Sequence, residues 1–145
     1  MAMLFVVVPL LLVALATWHD LRTREVPDWI SYALGLWGIV CIACGLGNNS
    51  WSGVFLGGLL AFAITVPFCW LGGLGGADVR LMVGLGMIFG PSVLLLLAIL
   101  TALLGGMLAL VAVARGQKDY AYCPAILGAL VLVLTLSMVL HGRIA

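Results

Sequence analysis

Charged residues punctuate this chain in four places, and the stretches between them are apolar. Asp20, Arg22, Arg24, Glu25 and Asp28 form one group, Asp78 and Arg80 a second, and Arg115, Lys118 and Asp119 a third; Arg143 stands alone. Neither residues 29–77 nor residues 81–114 contain an Asp, Glu, Lys or Arg. A bilayer core of ~30 Å takes ~20 helical residues to cross, so each of those stretches exceeds one crossing and can fold back once inside the membrane. The spacing predicts helices over residues 2–19, 29–45, 52–71, 78–90, 92–114 and 124–140. Gly45 to Ser50, with Gly47, Asn48 and Asn49, reads as a turn; Gly72-Gly73-Leu74-Gly75-Gly76 ends the third helix, and Gly90-Pro91 stops the fourth. The apolar runs at 94–97 and 130–134 lack the alternation of a transmembrane β-barrel strand. The expected fold is an all-α membrane protein, a bundle of six transmembrane helices forming a single polytopic domain over residues 1–145.

Composition sharpens this picture. The chain is 66% hydrophobic and 8% charged, with mean hydropathy +1.34 and net charge +1, whereas soluble domains run ~45–50% apolar and ~25% charged. A water-soluble globule, a disordered chain and a nucleic-acid-binding protein, which would need a basic surface, are excluded. In a six-span chain the loops after helices one, three and five share one side. They carry Arg22, Arg24, Arg80, Arg115 and Lys118, five of the six basic residues. The positive-inside rule makes that side cytoplasmic, with both termini on the other. Trp18, Trp29, Trp51 and Trp70 fall at span ends, as interfacial anchors do.

Ala14-Leu15-Ala16 resembles a signal-peptide processing site, but residues 1–17 contain no Lys or Arg, which favours a retained helix. Gly53 and Gly57, Gly57 and Ala61, and Gly86 and Gly90 have the small-x-x-x-small spacing that lets helices pack closely in lipid.

The candidate chemistry lies in two carboxylates. Acidic groups near the membrane are costly and call for a reason. Asp20 ends helix one and Asp78 opens helix four, so the topology brings both to the cytoplasmic face. If those helices pack together, the carboxyls can meet. Two close carboxylates share one proton; the ionised member can take a proton from water while the protonated one hydrogen-bonds a scissile carbonyl. Glycines before Asp78 would let a substrate backbone approach. Taken singly, each acid has a simpler reading: Asp78 as a helix cap, Asp20 as a partner of Arg22 or Arg24 among headgroups. Residues 78–90 would rise roughly 20 Å, short of the ~30 Å core, which leaves the helix start in a recess open to water.

At these positions the sequence resembles the type IV prepilin peptidases, membrane aspartic proteases of the GxGD class. Asp20-Leu21-Arg22-Thr23-Arg24-Glu25-Val26-Pro27-Asp28 is similar to the family's first-aspartate segment. Gly75-Gly76-Ala77-Asp78-Val79-Arg80-Leu81-Met82 is similar to its Gly-x-Gly-Asp-Val-Lys-Leu segment, with Leu85-Gly86 and Gly90-Pro91 following. Tyr122-Cys123-Pro124-Ala125-Ile126-Leu127 resembles the aromatic-x-Pro motif that opens the last helix. The resemblance implies Asp20 and Asp78 as the catalytic pair, with Gly75, Gly76, Ala77, Arg22, Arg24, Pro27, Arg80 and Pro124 supporting the site or binding substrate. It implies a prepilin or pseudopilin substrate whose short basic leader is removed at the cytoplasmic face of a bacterial inner membrane, with no cofactor and no metal. Glu25, Asp28 and Asp119 would attract the leader, or serve only as solvated loop charges.

Two departures stand out. Ala77 replaces the third-position glycine, where a positive φ would be costly. Larger members also carry a methyltransferase region with paired CxxC zinc motifs, for which this chain has no counterpart. Cys41 and Cys44 are a lone pair in an apolar span, and Cys69 and Cys123 are isolated. Structural zinc needs four arranged ligands, so all four cysteines read as buried small residues. His19 and His141 read as interfacial, and Pro27 and Pro124 as the starts of helices two and six. The short form resembles the stand-alone peptidases of tight-adherence (Flp-type) pilus systems. The alternatives are a transport or proton-relay subunit binding an ion through Asp20 and Asp78, a structural membrane adaptor, and a GxGD protease of the signal-peptide peptidase type. The first usually places its carboxylates mid-span, and the last has a Tyr-Asp motif and a longer bundle not seen here.

Overall fold

The fold is organised around one long, broken helical element in the second half of the chain, against which helices from both halves pack. The structure, a computed structural model, describes residues 2–46, 49–116 and 121–142. Its helices are α1 (Ala2–Thr23), α2 (Asp28–Ala43), α3 (Trp51–Trp70), α4 (Gly76–Ala114) and α5 (Cys123–Gly142). Gly47, Asn48, Lys118, Asp119 and Arg143 lie outside the described residues.

Among the described residues, five helical elements are delimited where six were expected, because two helices meeting at a kink are counted together as α4. The anticipated fourth and fifth helices run as α4, which is interrupted where expected: Gly90 has φ 77° and ψ 175°, just before Pro91. Pro91 has no N–H to continue the ladder, and only glycine readily adopts the positive φ that turns the chain there. Asn49 bridges the break from the α2–α3 connection, donating through Nδ2 to the carbonyls of Met87 (3.4 Å) and Ile88 (3.5 Å). α1 runs on to Thr23, past the expected end, because nothing between His19 and Arg24 disrupts a helix. Arg24 then terminates it with a positive φ of 57°. Pro27 stands at the N-cap of α2 rather than inside it, and Pro124 follows Cys123 in the first turn of α5.

Among the described residues, three helical stretches, Leu4–Thr23, Trp51–Trp70 and Gly76–Ala114, are long and apolar enough to cross a membrane, and Asp28–Ala43 and Cys123–Val139 are shorter helices of predominantly apolar sequence. α3 shows the inverted logic of a lipid-facing helix: Gly57, Gly58 and Ala61 are buried while Phe55, Leu59 and Phe62 are exposed. In lipid the large side chains lose nothing by facing outward, and small ones let backbones approach. Gly57 and Gly86 do this, since a methyl on either would collide with the other's backbone. The small-residue spacing thus serves close packing.

α4 packs on α3, α2 and α5, and α1 packs on α5 and α2. The core is aliphatic, built from Ile30 and Leu34 of α2, Leu81, Leu85, Ile88, Leu94 and Leu97 of α4, and Ile126 and Leu130 of α5. α1 meets α4 near the break, where the Phe5 and Phe89 rings pack edge to face at 5.6 Å. α1 and the first half of α4 therefore run antiparallel, which brings Asp20 and Asp78 to the same end.

Candidate active site

Asp20 sits in the last turns of α1 and Asp78 in the first turn of α4. Both carboxylates are held by one residue at the start of α5. The Cys123 N–H donates to Asp20 Oδ2 at 3.0 Å, and the Cys123 thiol lies 3.1 Å from Asp78 Oδ1. The N–H is available because the first turn of a helix leaves its donors without intrahelical partners. Thr17, one turn before Asp20, donates its hydroxyl to the carbonyls of Val13 (2.9 Å) and Cys123 (3.3 Å). Three polar groups of one residue thus fasten the tips of α1 and α4 to α5.

The glycine segment shapes the other side of Asp78. Gly75 is the N-cap residue of α4, and its N–H donates to Asp78 Oδ2 at 3.2 Å. Asp78 does cap its helix, but with one oxygen only; the other faces Cys123. Gly75 has an ordinary φ of −74°, so what glycine offers here is space: a Cβ would stand 3.1 Å from Asp78 Oδ2, close enough that the carboxylate would have to give by a few tenths of an ångström. Ala77 lies in the helical first turn of α4 and is not among the positive-φ residues, so the alanine carries no backbone cost. Gly72, at φ 77°, is the residue of this segment that needs glycine's conformational freedom.

Both aspartates open onto a cleft of about 1030 Å³. Its walls include Gly72, Gly73, Leu74, Gly75, Gly76 and Ala77, with Val26 and Tyr122. Four carboxylates (Asp20, Glu25, Asp28 and Asp78) and two guanidiniums (Arg24 and Arg80) line it, an excess of negative charge. Asp28 and Arg80 form an ion pair linking the starts of α2 and α4, half-exposed on both sides. Asp78 is 7% exposed, so the polar mouth narrows onto a nearly buried acid.

Of the residues expected to support the site, Gly75, Gly76, Ala77, Arg24 and Arg80 line the cleft. Arg22 is not among its lining residues; its guanidinium lies 4.3 Å from the centre of the Trp18 ring. Pro27 and Pro124 contribute through the backbone, by starting the helices that carry Asp28 and Cys123. The cysteine reading needs correcting: Cys41 and Cys123 are buried, but Cys44 is exposed and Cys69 only partly covered. Cys123 is also no mere space-filler, as its two bonds to the aspartates show. Among the described residues, no three His, Cys, Asp or Glu side chains gather closely enough to hold a metal ion.

No curated protein and no solved structure matches the chain. The type IV leader peptidase family model matches residues 6–110, well over half of the sequence and a span that includes both aspartates and the glycine segment; the chain belongs to that family.

Proposed function

We propose that this peptidase is a membrane aspartic endopeptidase that removes the basic leader of Flp-like prepilins, with Asp20 and Asp78 as its catalytic pair. The observation that carries the reading is the convergence on Cys123 of two carboxylates that line one cleft. One carboxylate takes a proton from water as it attacks the scissile carbonyl, and the other, protonated, polarises that carbonyl by hydrogen bonding. The proton then passes to the leaving amine, so neither a covalent intermediate nor a metal enters the cycle.

The cleft's excess of carboxylates supports a positively charged leader, since complementary charge steers such a segment into place. The glycine-rich wall leaves room for an extended backbone beside Asp78. Six spans are proposed, the halves of α4 on either side of Gly90 each crossing once. The site then faces the cytoplasm of a bacterial inner membrane, where the basic loops belong. The test is co-expression with a Flp-type prepilin, following leader removal on a gel. Processing by wild type and its loss in both Asp20→Asn and Asp78→Asn is the expected result. Processing by both asparagine variants would overturn the assignment.

A further inference from the structure

Cys123 belongs to no catalytic role described so far, yet it is hydrogen-bonded to both acids. It is 1% exposed, and each of its polar groups is engaged: N–H to Asp20, thiol to Asp78, carbonyl from Thr17. We infer that Cys123 is a positioning residue that sets the orientation of Asp78 relative to Asp20 through its thiol. The inference rests on the aspartic-peptidase reading above.

The two bonds differ in kind. The backbone N–H is a fixed donor, so Asp20 Oδ2 is always held as an acceptor. A thiol is both a weak donor and a weak acceptor. It donates S–H to Asp78 Oδ1 when that carboxyl is ionised, and accepts from the carboxylic O–H when it is protonated. In an acid pair that gains and loses its shared proton every turnover, such a neighbour keeps Asp78 in one rotamer through both states. A rigid donor would favour only the ionised state, and an apolar side chain would hold neither. A thiol's weak bonds also leave the proton exchangeable, and its small apolar body suits a site with almost no exposure. No covalent step and no proton transfer to sulfur is involved.

The experiment compares Cys123→Ser, Cys123→Ala and Cys123→Val in purified enzyme acting on a Flp-type prepilin, with kcat and KM determined separately. Serine keeps a group that donates and accepts; alanine and valine do not, and valine also fills the space. Cys123→Ala and Cys123→Val are expected to lose about tenfold or more in kcat with KM within about twofold, while Cys123→Ser keeps most of the rate. Thermal unfolding followed by tryptophan fluorescence identifies any variant that has lost its fold, and the Val variant keeps the comparison valid if the Ala variant collapses. Wild-type kcat in Cys123→Ala or Cys123→Val, or a serine variant as slow as alanine, overturns the inference. Asp20→Asn and Asp78→Asn are run alongside. If they are inactive while Cys123→Ala is normal, only the positioning role fails; if they remain active, the catalytic reading itself fails.

Discussion

Asp20 on the first helix is held by the main-chain N–H of Cys123, 103 residues further along the chain, at 3.0 Å. That bond locates one acid by a backbone donor, which no substitution short of proline removes. Asp20→Asn retains an oxygen to accept it, so the fold should tolerate the change while the chemistry should not. Leader removal is expected to fall by about 10²–10⁴-fold in Asp20→Asn and likewise in Asp78→Asn, the range typical of a lost general acid or base. Gel analysis of prepilin processing checks this, with membrane insertion measured in parallel.

The two ends of the Gly75-Gly76-Ala77 segment should respond oppositely. Gly75→Ala brings a methyl to 3.1 Å from Asp78 Oδ2 and forces the carboxylate or the cap to shift, so processing is expected to drop at least severalfold. Ala77→Gly only loosens a helical first turn, at a cost of up to about 1 kcal/mol, and is expected to retain processing. Initial rates of leader release compare the two.

Replacing Gly57 or Gly86 tests the helix packing. Leucine at either position collides with backbone across the α3–α4 contact, and backbone cannot rotate away as a side chain can. Both variants should lose several kcal/mol of stability, the upper end of what overpacking costs. They should denature at markedly lower temperature in detergent, as read by tryptophan fluorescence.

The Asp28–Arg80 pair predicts a small effect. It is half-exposed on both sides, and exposed pairs are worth about 0–1 kcal/mol. Arg80→Gln should therefore move the unfolding midpoint little. It also removes one of only two guanidiniums from a cleft with four carboxylates, so KM for a basic leader should fall, and the difference from wild type should shrink in high salt.

The helices were legible because charge is intolerable in lipid: 29–77 and 81–114 could only be membrane stretches, and Gly90-Pro91 could only be a break. Their ends were less legible. Polar residues do not by themselves stop a helix, so α1 carries His19 to Thr23 beyond the apolar run and the chain leaves the helix only at Arg24. The acids announced themselves by their cost, and the expected topology put both at one end of the bundle, but that α5 joins them, through Cys123, was not legible. What could not be read was the agency of Cys123. Hydropathy counts cysteine as apolar, and the N–H that holds Asp20 belongs to the backbone, which every residue but proline carries. Nor could the sequence tell that glycine at position 75 offers room rather than dihedral freedom, since both select the same residue.

The break at Gly90 has a further consequence. Residues 76–90 rise roughly 22 Å at 1.5 Å each, against a ~30 Å hydrocarbon core, and their far end is pinned by Asn49 and by the Phe5–Phe89 contact. On the proposed six-span arrangement, the depth of Asp78 is set by the thickness of the surrounding lipid. Reconstitution into vesicles of graded acyl-chain length should make turnover slow as the bilayer thickens, because water must travel further to reach a carboxylate whose helix cannot grow to meet it.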